Sequence, residues 1–196
     1  LGMLCQSNCP DLQEKYHSVI VPALAKLITD QGENLRVRIH SISCLLNFMK
    51  GLVNEEEDND EVDDYSDVIK PYSKDLLALL ASSFEQSLKL NNKNMQEMTL
   101  ACISMIATIL DAEFEPYYND IIPFLRDLLV KLIQSRNNDN KELIAEIIGT
   151  ISFICSSINK NPEKYMKDFC QFWDMFMELL TKVKEEDPEV IAIFKA

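Results

Sequence analysis

The chain has 196 residues, 47% of them hydrophobic, with 19 basic and 32 acidic side chains and a net charge of −13. That is enough apolar material for a continuous buried core, and the acidic balance argues against binding nucleic acid, whose phosphates need cationic partners. Four glycines and seven prolines are too few turn residues for many short strands, so helices dominate and the expected class is all-α.

Leu1 to Cys5 begins without a cap, as if it were the last turn of a helix that starts further upstream. Asn8-Cys9-Pro10-Asp11 has the chemistry of a helix start, with proline at the first turn. A first helix is expected over about Asp11 to Thr29, bent at Pro22. Gly32 is placed as its left-handed cap, and Asn34 as the N-cap of a second helix over about Leu35 to Leu52. Leu35, Ile39, Ile42, Leu45, Leu46 and Met49 form the apolar side of that second helix. Arg36, His40, Ser43, Asn47 and Lys50 recur on the other side at steps of four and three.

Asn54 to Asp64, NEEEDNDEVDD, has eight acids among eleven residues and reads as a solvated, disordered insertion. It can be a capture site for a basic segment or a tolerated surface loop. A third helix follows over about Ser66 to Leu90, bent near Pro71, and a fourth over Asn94 to Leu110. In the fourth, Met98, Leu100, Ile103, Ile106 and Leu110 are core candidates. Glu97, Ala101, Ser104, Thr108 and Asp111 repeat the polar stripe of the second helix. A long fifth helix after Pro116 and a sixth over Lys141 to Ile158 complete another pair. The sixth carries Ala145, Gly149, Ser152, Ser156 and Asn159 as its stripe. Ser43, Ser104 and Ser152 share one column, read either as ligand-facing or as close packing. A seventh helix runs from Asn161 to about Lys184, with Trp173 and its aromatic neighbours placed in the core, and Pro188 opens an eighth.

The order is repetitive. YHSVIVPALAKLI from Tyr16 and YYNDIIPFLRDLL from Tyr117 both place a proline six residues after a tyrosine. Looser copies start at Tyr72 and Tyr165. The tyrosine spacings are 56, 45 and 48 residues, and the first shortens to match the others once the acidic insertion is set aside. Helical pairs at a period of about 40 to 47 residues are the HEAT arrangement, a solenoid in which each hairpin buries its face against its neighbours. The expected repeats are about 11–53, 66–111, 114–159 and 162–196.

No chemistry of an enzyme accompanies this. No serine lies in a GxSxG turn, no glycine-rich phosphate loop occurs, and the two histidines, His17 and His40, have no second metal ligand at useful spacing. Cys5, Cys9, Cys44, Cys102, Cys155 and Cys170 show no CxxC pair. Most sit in apolar patterns typical of buried thiols in a reducing cytosolic or nuclear compartment. No apolar run reaches bilayer length, so no membrane contact is expected. The reading is a protein-binding platform with no cofactor and no metal.

DLQEKYHSVIVPALAKLITDQGENLRVRIH from Asp11 to His40, FEPYYNDIIPFLRDLL from Phe114, and EEDPEVIAIF from Glu185 resemble the importin-β (karyopherin-β) nuclear transport receptors, in particular their importin beta-3 branch. The resemblance covers most of the chain. It implies a central HEAT-repeat piece of a longer receptor that shuttles between cytoplasm and nucleus. The implied partners are basic cargo with nuclear localisation signals, the GTPase Ran and phenylalanine-glycine nucleoporins. The acidic insertion departs from the branch, so no role is carried over to it. The residues expected to meet partners lie on the second helix of each pair: Arg36, His40, Asn47, Lys50, Glu97, Asp111, Glu142 and Glu146, with the acids supplying a negative field. The alternative is a HEAT scaffold that organises an enzyme complex.

Overall fold

A computed structural model describes residues 9–53, 65–158 and 162–195. The readings made for Leu1 to Cys5, Asn8, the acidic insertion, Asn159 and Asn161 fall outside them. Among the described residues all regular structure is helical: α1 Asp11–Thr29, α2 Leu35–Lys50, α3 Ser66–Ile69, α4 Ser73–Lys89, α5 Lys93–Leu110, α6 Glu115–Gln134, α7 Lys141–Ser157, α8 Pro162–Leu180 and α9 Pro188–Lys195. Short 3-10 turns at Lys70–Tyr72 and Asp111–Phe114 precede α4 and α6. The helices fall into two units, one ending at Leu110 and the other beginning at Asp111.

In the first unit α1 packs on α2 and α4 on α5, while first helices touch (α1 on α4) and second helices touch (α2 on α5). This is a stack of two hairpins in register. Leu24 and Ile28 of α1, Ile42, Leu45 and Met49 of α2, Leu80 and Phe84 of α4, and Leu100, Ile103 and Ile106 of α5 are buried, as 3.6-residue periodicity requires. Leu35, Ile39 and Met98, placed in the core from sequence, are only half-buried.

The α1–α2 turn corrects one expectation. Gly32 does not adopt the left-handed conformation; its N–H donates to Asp30 Oδ1 at 2.8 Å, so an aspartate side chain closes the turn. Asn34 caps α2 as expected, its Oδ1 accepting from Arg36 N at 2.9 Å. Asn92 does the same for α5 through Met95 N at 2.9 Å. Pro71 shortens the third helix of the sequence reading into α3, a 3-10 turn and α4, because proline cannot donate in a helix interior.

Long polar side chains tie the helix ends together. Arg38, almost fully buried, donates from Nε to Ile28 O at 2.8 Å and from Nη2 to Gln86 Oε1. Gln13 Nε2 donates to Phe48 O at 3.2 Å. Carbonyls that a helix terminus or a crowded interface leaves unpaired are thereby satisfied.

In the second unit α7 packs on α6 and on α9. Tyr118 of α6 meets α8 through Tyr165, with ring centroids 4.4 Å apart, and donates to Asp168 Oδ2 at 3.2 Å. Burial, followed by Cys155 and the Asp168 carboxylate, raises the pKa of the Tyr118 hydroxyl far above its ordinary value. Asn137 and Asn140 build the α6–α7 turn, Asn137 Oδ1 accepting from Asp139 N at 2.8 Å and Asn140 Oδ1 from Asn137 N at 2.9 Å.

Two sequence expectations fail in α8. The helix stops at Leu180, short of Lys184, because Lys182 N turns to Leu179 O at 2.8 Å and Asp187 Oδ2 captures Lys184 N at 2.9 Å. Trp173 is 56% exposed, and Phe169 and Met177 are exposed beside it, whereas Phe172, Phe176 and Leu179 form the buried side.

Candidate functional site

The polar stripes sit on α2, α5 and α7 and differ in charge. Arg36, His40 and Lys50 are exposed on α2, with Ser43 and Asn47 half-buried between them. Leu35–Lys50 contains no acid, so this face is cationic within an acidic chain. On α5 Glu97 is exposed, Ala101 and Ser104 are half-buried, and exposed Thr108 donates back to Ser104 O at 3.1 Å. Asp111, expected to continue the stripe, lies beyond the helix end with φ 45°, a left-handed conformation that aspartate tolerates better than most residues.

α7 presents the most coherent face. Ile144, Ile147, Ile148, Ile151 and Ile154 turn inward, and the opposite line runs Glu142, Glu146, Gly149, Phe153, Ser156 at steps of four, three, four and three. Glu142, Glu146 and Ser156 are exposed, Gly149 is half-buried, and Phe153 is 57% exposed. The only base on α7, Lys141, is engaged: its Nζ donates to Asp187 Oδ1 at 2.7 Å.

That contact belongs to a charge cluster holding the α8–α9 turn against the start of α7. Arg136 Nη2 donates to Asp187 Oδ2 at 2.6 Å and Nε to Glu189 Oε1 at 3.0 Å. Hydrogen bonds from Lys141 and then Lys184 N hold the Asp187 carboxyl well below its ordinary pKa. Burial alone would lower the Arg136 pKa, but bonds to Glu189 and Asp187 outweigh it and raise the value. The cluster fixes the end of α7 from which Glu142 projects.

Two thiols are held protonated by burial. Cys102 is buried, its Sγ 3.7 Å from Ile42 O, and burial raises its pKa far above the ordinary range, with nearby Lys50 opposing only weakly. Burial, then Asp168, pushes Cys155 up to about 11, which disfavours the thiolate. Contrary to the sequence reading, only Cys102 of the five described cysteines is buried; Cys44 and Cys155 are half-buried, and Cys9 and Cys170 are exposed. Among the described residues no group of three or more His, Cys, Asp or Glu could hold a metal, and no helix is long and apolar enough to cross a membrane.

A family profile described as importin subunit beta-1-like, TPR repeats, matches residues 59–195. The chain belongs to the importin-β family. Importin subunit beta-3 of Saccharomyces cerevisiae is 26% identical over 187 residues, which is 95% of this chain and 15% of that relative. Among solved structures, a Kap121p mutant with three acidic residues changed to lysine matches at a TM-score of 0.73 with 22% identity, over 97% of this chain and 16% of that one. Kap121p bound to Nup53p matches at 0.60 with 24% identity, over 92% and 16%. The chain thus spans about 15% of the length of the curated importin it matches. The tyrosine spacings of 45 and 48 residues exceed the roughly 34 of a TPR, and the hairpins of this importin segment are HEAT repeats.

Sequence reasoning missed Phe153, since an aromatic on a helix defaults to the core. The signal was available: it occupies the same angular line as Glu142, Glu146 and Gly149.

Proposed function

We propose that this chain is a cargo-contacting section of a nuclear transport receptor that moves between cytoplasm and nucleus, and that it does so by binding alone. Basic localisation signals settle on the outward acids Glu142 and Glu146 of α7 in the second unit, which also carries Asp111; in the first unit, taken by itself, Glu97 supplies negative charge and Asn47 hydrogen bonds. The observation that carries this is the α7 face, where two exposed acids stand in line one helical turn apart. Arg36, His40 and Lys50 on α2 of the first unit would repel a lysine-rich segment, so on this reading they meet neutral or acidic stretches of a partner. Importin-β membership supports release of cargo by Ran-GTP acting on the whole receptor. The Kap121p–Nup53p structure supports nucleoporins as partners. Membership also weighs against the scaffold alternative.

The test is fluorescence anisotropy of a labelled lysine-rich peptide with the 196-residue chain, compared with the variant Glu97→Lys, Asp111→Asn, Glu142→Lys, Glu146→Lys. Exposed charge pairs are worth up to about 1 kcal/mol each, so affinity is expected to fall by about tenfold or more, and to fall also with added salt. Equal affinity of variant and parent would refute the assignment. In the intact receptor Ran-GTP displaces the peptide, whereas the 196-residue chain alone binds Ran weakly or not at all.

A further inference from the structure

We draw no further inference here: the strongest candidate, the exposed apolar line Phe169, Trp173 and Met177 along α8, is an unpartnered helix face, and nothing in the structure shows what covers it.

Discussion

Replacing Arg136 by alanine is expected to lower the unfolding free energy of the unit beginning at Asp111 by about 3 kcal/mol, the order seen when one partner of a buried ion pair is removed. Its fork holds Asp187 Oδ2 at 2.6 Å and Glu189 Oε1 at 3.0 Å, and the Glu189 side chain has 0% exposure. Glu189 Oε2 is buried with no hydrogen-bond partner among the described residues, so the guanidinium is the main compensation for that charge. Without it, a buried carboxylate loses its ion-pair partner. Chemical denaturation followed by circular dichroism measures the loss. Adding Glu189→Gln to Arg136→Ala should recover part of it, as coupled neighbours are not additive. Arg136→Lys should not restore the parent's stability, because an ammonium cannot span both carboxylates. A loss below about 1 kcal/mol, the scale of surface pairs, would show that the cluster is solvated.

The same cluster sets an acid response. Asp187 has a depressed folded-state pKa, so its contribution is fully present above its ordinary value of 3.8 and declines as pH falls from there towards the lowered value. Stability owed to Asp187 is therefore flat between pH 5 and 7 and falls below about pH 4. Denaturation of the parent and Asp187→Asn at pH 7 and pH 3 checks this: the gap between them should narrow at the lower pH.

Phe48→Ala is expected to cost the first unit about 4 kcal/mol, within the range for emptying a phenylalanine site in a core. The ring is fully buried on α2, the helix that packs against both α1 and α5, and its own carbonyl accepts from Gln13. Hydrogen exchange should show the largest loss of protection in α1, α2 and α5. Trp173→Ala and Phe153→Ala, truncations at least as large but at exposed positions, should each stay within about 0.5 kcal/mol of the parent. If Phe48→Ala matched them, the interior around α2 would have to be loosely packed.

Helix periodicity carried most of the fold. Ile42, Leu45 and Met49 on α2, and Leu100, Ile103 and Ile106 on α5, were assignable because one apolar line faces one polar line. α8 defeats that logic, since Phe172, Phe176 and Leu179 make one apolar line and Phe169, Trp173 and Met177 another. Periodicity shows both without saying which is covered. Turn chemistry was half legible: Asn34 and Asn92 cap as their type suggests, but at Gly32 the work is done by Asp30, and no rule of composition separates those options. Arg38, Gln13 and Arg136 were invisible because a long polar side chain that reaches a distant carbonyl or carboxylate leaves no periodic trace. On α7 spacing was read one step off: the expected stripe ran through Ala145 and Ser152, which are half-buried, while the exposed line runs through Glu142, Glu146 and Phe153, and the open backbone at Gly149 required coordinates.

The exposed position of Trp173 has a practical consequence, because it is the only indole in the chain. Its emission in the native protein should already resemble that of an indole in water, so denaturation will shift the spectrum little and fluorescence will understate unfolding. The same optical handle becomes informative when something settles on that flank of α8: a blue shift then reports the arrival of a covering surface directly, without any label.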